Sequence, residues 1–454
     1  MPAMFYFLLS VAALVLGYVV YSRVIEKLFG VKEDRPTPAH SMADGVDYIT
    51  MPTWKVFLIQ LLNIAGVGPV FGPIMGALYG PAALLWIVLG SIFAGAVHDY
   101  FSGMMSVRYQ GKSLPDVVGY TLGNGFKQFM RAFSLLLVVL VGVVFVAAPA
   151  GLLAQLTGLP LITFVVIIFV YYFLATILPI DLIIGRLYPL FAVVLLIMAF
   201  GVAGGLIFEG YAFYNWAEWT NQHPAGLPLW PLMFITIACG AISGFHGTQS
   251  PIMARCMINE KNGRSVFYGA MIAEGIIGLI WATAGMTFYD SAQALALAMG
   301  EKSNAALVVN QVCMTLLGPV GGVLAILGVV VLPITSGDTA FRAARLLIAD
   351  FLNMNQKLVA PRLYIAVPIF AIGIVLSRVD FSILWRYFGF SNQALATIVL
   401  WSAAAYAVRK GSFHWLVSLP AAFMTAVCTT YLCYAGIGFG LPYNISVILG
   451  LVVA

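Results

Sequence analysis

Charge is what this sequence has least of. Only 9% of its residues are Asp, Glu, Lys or Arg, against about 25% in a soluble chain. With 62% hydrophobic residues it reads as an integral membrane protein, with no room between its apolar runs for a large soluble domain. The net charge of +5 needs no nucleic-acid partner, because cytoplasmic loops of membrane proteins carry excess Lys and Arg. Cysteine is scarce and unpaired. Cys239, Cys256, Cys313, Cys428 and Cys433 form no CxxC and read as packing residues, so neither a disulfide framework nor a metal cluster is suggested. No GxxxxGK[ST] occurs, which excludes an ATP-driven motor in this chain. There is no HExxH or other zinc spacing, no haem ligand pair and no legible Ser-His-Asp grouping. No catalytic residue, no metal site and no cofactor is therefore expected. The first residues lack a basic n-region and a clear cleavage site, so the run to about Val24 reads as a retained span.

Lys and Arg are also absent from Leu187 to Ala254. Elsewhere they cluster: Arg23 to Lys55, Arg108 to Arg131, Arg186, Arg255 to Arg264, Arg342 to Arg362, and Arg409-Lys410. Apolar runs of roughly 20 residues, enough to cross as helices, predict spans at about 4–26, 54–79, 82–107, 128–156, 159–179, 187–210, 231–256, 264–289, 304–336, 361–379, 383–408 and 413–437. One alternation puts the N-terminus outside and every basic loop in the cytoplasm. The Trp- and Tyr-rich segment from Tyr211 to Trp230 then suits an outer interfacial belt. Splitting 304–336 at Gly318-Pro319 would put Arg342–Arg362 outside, so it is read as one proline-kinked helix. Residues 339–353 read as an amphipathic helix on the cytoplasmic surface. The tail 442–454 is apolar but too short to cross.

Two spans contain breaks that hydrocarbon tolerates only inside protein or beside a wet cavity. One is Asn63-Ile-Ala-Gly-Val-Gly-Pro-Val-Phe-Gly-Pro73; the other is Ser243-Gly-Phe-His-Gly-Thr-Gln-Ser-Pro251. They lie five spans apart and point in opposite directions, as two inverted five-helix repeats require. The fold expected is all-α, with about 12–13 transmembrane helices and a single domain. It divides into an extra helix and loop at 1–53, repeats at 54–210 and 231–379, and C-terminal helices at 383–454. In each break a small residue, Gly72 or Ser250, precedes a proline, which suggests a new helix starting there with its free N–H groups at mid-membrane depth.

The binding candidates are Asn63, Gly66, Gly68, Pro69 and Gly72 in the first break, and Ser243, His246, Thr248, Gln249 and Ser250 in the second. His246 is the sharpest, since histidine can hold a proton near neutral pH or donate to a carboxylate. Glu274 sits mid-span, where a carboxylate needs an interior partner such as His246. His98 and Asp99 suggest a relay or gate, with Asp99 pairing to Arg108 as the alternative. Thr335, Ser336 and Asp338 follow a further break and could hold a cation, with helix capping the alternative for Asp338. Asn392 and Gln393 could help gate. Asp181 and Arg186 read as a loop pair.

Several segments resemble the carbon starvation protein A family of bacterial membrane transporters. They are Ile64-Ala-Gly-Val-Gly-Pro-Val-Phe-Gly-Pro73, Gly95-Ala-Val-His-Asp99, Ser243 to Cys256, Phe267 to Gly275, Thr335-Ser-Gly-Asp-Thr-Ala-Phe-Arg342 and Leu384 to Gln393. The match runs in order from about Asp47 to Leu400. The resemblance implies uptake of pyruvate or small peptides driven by a proton or other ion gradient, in the bacterial inner membrane and in carbon starvation. It also implies a LeuT-like core, as in the amino acid–polyamine–organocation transporters. The coupling ion expected is H⁺ or Na⁺, and the partners are a small-molecule substrate and the lipid bilayer. An ion channel or a membrane-embedded enzyme is the competing reading.

Overall fold

A computed structural model describes residues 2–213, 219–300, 304–379 and 381–454. Every regular element among them is helical. Among the described residues, eight helices are long and apolar enough to cross a membrane, nine if the bent pair Thr53–Ile64 and Gly68–Tyr79 counts as one span. The other expected spans are occupied by helices too: Leu161–Ile177, the broken pair Leu229–Thr236 and Gly244–Ala254, and Phe381–Arg409. Tyr443–Val453 lies against Trp415–Tyr434, close enough that a Cβ at Gly450 would meet Thr430 Oγ1 at 2.0 Å. Within the interfacial segment 211–230, residues 214–218 fall outside the described residues.

The first helix breaks within its glycine-rich run, but the second breaks before the Ser243–Pro251 stretch, which is helical, and both restart earlier than Gly72-Pro73 and Ser250-Pro251 suggested. The first inner half-helix ends at Ile64, residues 65–67 are non-helical, and the outer half begins at Gly68 with Pro69 in its first turn. Pro69, whose missing N–H costs nothing in a first turn, is the starter; Pro73 sits inside the helix. The second break is 237–243, and Gly244–Ala254 then contains His246 through Pro251. The local sequence Ile237-Ala-Cys-Gly-Ala-Ile-Ser243 holds no proline. Gly240, at φ +87°, supplies the left-handed turn.

The helix of 48 residues, Ala305–Leu352, departs from the proline-kink reading. Gly318 takes φ 61°, ψ −150°, so two helices meet there. The part before it is too short to cross, and the orientation deduced from charge is unaffected. Nor is 339–353 a surface helix. Thr339 through Leu347 are buried in the continuation of the same helix, and exposure begins only near its end. Thr335 and Asp338 are helical and buried, so Asp338 caps nothing.

The basic segments assemble at one end. Buried Glu260 accepts from Arg108 Nε at 2.7 Å, Arg35 Nη1 at 3.1 Å and the Lys32 amide at 3.0 Å. Asp47, in the loop before Thr53, accepts from Arg342 Nη1 at 2.7 Å and from Arg345 Nη2 at 2.9 and 2.8 Å. Arg342 also donates to the carbonyls of Ala175 and Leu178. Asp181 pairs with Lys55 at 2.6 Å, not with Arg186.

Candidate functional site

The two breaks touch. Gly68 is pressed on the second break so closely that a Cβ there would sit 2.3 Å from Cys239 Sγ. A Cβ at Gly72 would lie 3.0 Å from the carbonyl of Thr236. Small residues are required where the helix after the first break crosses the second break, and Gly68 and Gly72 meet that need.

The freed backbone of the second break is paired by side chains from three other helices. Trp86 Nε1 donates to the Ile237 carbonyl at 3.1 Å, and Ser91 Oγ donates to the Gly240 carbonyl at 2.8 Å. The Gly240 amide donates to Glu274 Oε1 at 3.1 Å. Asn392 Oδ1 accepts from the Phe245 amide at 2.6 Å and from Ser243 Oγ at 3.1 Å. Gln393 Nε2 donates to the Phe234 carbonyl at 3.2 Å. Unpaired, each such group would cost several kcal/mol in hydrocarbon. Asn392 and Gln393 therefore hold the break open; no gating movement is needed to account for them.

Four titratable side chains run through the centre. The carboxylate of Asp99 accepts from His98 Nδ1 at 2.7 Å and from His246 Nδ1 at 2.9 Å. On its other edge, His246 Nε2 faces Glu274 Oε2 at 3.4 Å. All four side chains are fully buried. Ser102 Oγ donates to Ser250 Oγ at 3.2 Å, linking the helix of His98 and Asp99 to the helix of His246. A π-helical turn, Gly90–Gly95, precedes that pair; such turns arise where a backbone is bent to aim side chains. The alternative partner for Asp99, Arg108, is committed to Glu260. Thr248 and Gln249 bond locally, Thr248 Oγ1 to the Phe245 carbonyl and Gln249 Nε2 to Thr248 Oγ1.

A second cluster lies against the first break. Ser336 Oγ donates to the Leu62 carbonyl at 3.2 Å, and a Cβ at Gly66 would meet Ser336 Oγ at 2.8 Å. Asp338 accepts from the Tyr188 hydroxyl, which also contacts the Thr335 carbonyl. Thr335 Oγ1 donates back to the Leu332 carbonyl. Inner half-helix Thr53–Ile64 carries the most telling pair. Gln60 and Asn63 are fully buried, and neither their amide oxygens nor their nitrogens have a partner.

A vestibule of about 220 Å³ leads toward this core between the outer half-helices. Gly68, Gly72, Cys239, Asn392, Arg386 and Tyr431 are among its walls. Sequence reasoning placed Gly68, Gly72 and Asn392 among the candidates but missed Cys239, Gln60 and Tyr188. Cys239 stands in an apolar run and carries no local signal. Gln60, a polar residue one turn before Asn63, was legible as an anomaly in a span.

Paired broken helices around a buried polar core, reached from one side, define a multi-pass membrane transporter. The chain belongs to the carbon starvation protein CstA family, whose profile matches residues 2–159, 151–319 and 289–431. It is 46% identical to a membrane protein of Haemophilus influenzae, over 64% of this chain and 93% of that one. It is 26% identical to the peptide transporter CstA of Bacillus subtilis, over 86% of this chain and 83% of that one. It is 24% identical to the pyruvate/proton symporter BtsT of Escherichia coli, over 60% of this chain and 47% of that one. Among solved structures, a mutant of the Eremococcus coleocola manganese transporter aligns with TM-score 0.57 at 14% identity, covering 91% of this chain and 96% of that one. The fold is thus LeuT-like, and the protein resides in the bacterial cytoplasmic membrane. That the relatives are named as transporters agrees with the non-enzymatic reading.

Proposed function

We propose that this chain is a secondary active importer of small carboxylate nutrients, pyruvate or short peptides, driven by protons. The observation that carries the reading is the buried chain His98–Asp99–His246–Glu274 lying across the broken helices. Ionisable groups at membrane depth mark ion pathways, and histidine changes charge near neutral pH. Names borne by relatives, a peptide transporter and a pyruvate/proton symporter, supply the substrate classes.

In this reading the substrate enters the vestibule. Its carboxylate approaches the N-terminus of Gly68–Gly76, where the helix dipole favours an anion. Arg386 on the wall adds positive charge, and the buried, unpartnered side-chain amides of Asn63 and Gln60 beside the first break are available to it. The remaining sequence candidates, Gly66, Pro69, Ser243, Thr248, Gln249 and Ser250, shape the two breaks. A proton taken up by the central chain is released to the cytoplasm after one helix group rocks against the other.

A second reading, sodium coupling, is favoured by the oxygen groups beside the first break: the Leu62 carbonyl, Ser336 Oγ, Thr335 and Asp338. Proteoliposomes given external labelled pyruvate or a labelled dipeptide, under a pH or a sodium gradient, separate all four cases. Proton-driven uptake should disappear in His246→Ala and Glu274→Gln. If both variants keep uptake and its gradient dependence, the site assignment fails. Sodium-driven uptake lost in Ser336→Ala and Asp338→Asn would transfer coupling to the second cluster.

A further inference from the structure

We propose that Cys239, His246 and Glu274 form a binding site for a divalent transition-metal ion of the zinc class, at the inner end of the vestibule. The ligand atoms, one from each residue, lie within 4.8 Å of one another, and all three residues are buried. Two of them come from the second broken helix and one from Ala270–Thr287. Thiolate, imidazole and carboxylate are the donors zinc takes, at bond lengths of about 2.0 to 2.3 Å. Tetrahedral ligands at those lengths stand roughly 3.5 Å apart, so the three side chains need only a small contraction. The His246–Glu274 approach is already 3.4 Å.

The second, independent observation is electronic. His246 Nδ1 is committed to the Asp99 carboxylate, which can only accept, so Nδ1 carries a proton, and in the neutral imidazole Nε2 presents a lone pair. That lone pair faces Glu274 Oε2, another acceptor. Neither atom has a hydrogen-bond partner, and both are sealed from solvent. Two acceptors aimed at each other in an apolar interior call for a cation between them, a proton or a metal ion, and the nearby thiol of Cys239 supplies the third donor a metal ion needs. The Asp99–His246 pair is the carboxylate–histidine arrangement that fixes the tautomer and orientation of a metal-bound imidazole. Glu274 is itself oriented through Oε1 by the Gly240 amide, which frees Oε2. Cys239 is held by Gly68 on one side and reaches Ser243 Oγ at 3.6 Å on the other. A divalent ion with one thiolate, one carboxylate and a neutral imidazole is charge-neutral, which suits burial. Binding releases the thiol proton to water, because a coordinating thiol is deprotonated. Cys239 also lines the vestibule, which supplies an entry path and an open fourth position.

This proposal does not depend on the transport reading. The test uses the full chain purified in detergent, with Co²⁺ as the spectroscopic probe and Zn²⁺ as competitor. One cobalt per chain is expected, with a near-ultraviolet thiolate-to-cobalt band that Zn²⁺ abolishes. The band should be lost in Cys239→Ser and kept in Cys256→Ser, Cys313→Ser, Cys428→Ser and Cys433→Ser. Glu274→Gln should weaken cobalt binding at least tenfold. Gel filtration reports whether each variant is folded, and Zn²⁺ protection of Cys239 from a thiol reagent in the unmodified protein supplies a readout needing no variant. Absence of a thiolate band and of protection in the wild type, or a band that survives Cys239→Ser, overturns the site and leaves a proton as the only cation between His246 and Glu274. Failure of proton-driven uptake would overturn the transport reading and leave the cobalt result standing.

Discussion

The two breaks do opposite things with their polar groups. Around residues 237–243, carbonyls and amides are met one by one by Trp86, Ser91, Glu274, Asn392 and Gln393. Around residues 65–67, the corresponding bond from another helix is Ser336 to the Leu62 carbonyl, while both amides of Gln60 and Asn63 stand unpartnered. The inner half of the first broken helix is instead anchored at its far end, where the loop before Thr53 is fastened through Asp47 to Arg342 and Arg345. The backbone of the second break is a fixed scaffold, and its spare side-chain acceptors, His246 Nε2 and Glu274 Oε2, face each other. The other keeps hydrogen-bonding capacity in reserve and is held at a distance, as a ligand-responsive element requires.

The largest expected effect tests the scaffold. A Cβ on Gly244 would lie 2.2 Å from the Asn392 carbonyl oxygen and 2.5 Å from the Ala396 nitrogen, both backbone atoms that cannot swing away. Gly244→Val should yield no monodisperse protein by fluorescence-detected gel filtration, whereas Gly125→Ala, with open space around it, should behave as wild type. A well-folded Gly244→Val would show that the second break is more plastic than its hydrogen bonds imply.

Next is the anchor. Removing one partner of a buried ion pair costs about 3 to 5 kcal/mol, and Asp47→Asn leaves Arg342 and Arg345 facing a neutral amide. Burial alone would raise the Asp47 carboxyl, but Arg345 and Arg342 overcome this and hold it below the usual carboxylate range. A lowered carboxyl contributes stability that is full above its unfolded value, near 4, and is lost as pH falls below that toward the folded value. The gap in thermal stability between wild type and Asp47→Asn should therefore be constant from about pH 8 to 5 and shrink below about 4. A gap that changes between pH 8 and 5 would point to another group.

Asn392→Leu comes third. It strands the Phe245 amide and the Ser243 hydroxyl, with an expected loss of about 2 to 3 kcal/mol in a thermal melt. A loss below about 0.5 kcal/mol would mean that water replaces the side chain, and the contrast between the breaks would weaken.

Much of this was legible in the chain itself. The Lys and Arg clusters put their loops on one side of the membrane, and the segments carrying Arg35, Arg108 and Arg342 do gather at one end. The glycine-rich runs located both broken helices, and the pairing of His246 with Glu274 was anticipated from two polar residues in apolar surroundings. The exact restart points were not legible. Gly-Pro and Ser-Pro look like helix starts, yet Pro73 and Pro251 lie inside helices whose caps stand earlier. The break at 237–243 is set by side chains remote in sequence, among them Trp86, Glu274 and Asn392, and no local pattern announces such partners. For the same reason Asp99 gave no sign that it bridges two histidines, and Cys239 looked like packing. The long helix misled through Gly318: one left-handed residue redirects the chain, and only tertiary burial shows that 339–347 is interior.

The smallest stability effect is the most discriminating. Gln60→Leu and Asn63→Leu remove buried amides that have no partner, so each should change the melt by less than about 1 kcal/mol and could raise it. If those amides serve a substrate, the same variants should raise the KM of uptake about tenfold, equivalent to about 1.4 kcal/mol, with little change in expression. Asn392→Leu should show the reverse, a lower melt first and an uptake defect only in proportion to lost protein. Should Gln60→Leu and Asn63→Leu instead melt as low as Asn392→Leu, the first break would be a scaffold like the second, and its amides would be satisfied by ordered water. A raised KM without lost stability would assign the unpaired amides to the ligand, and would place the responsive half of the site on the helix that Asp47 anchors.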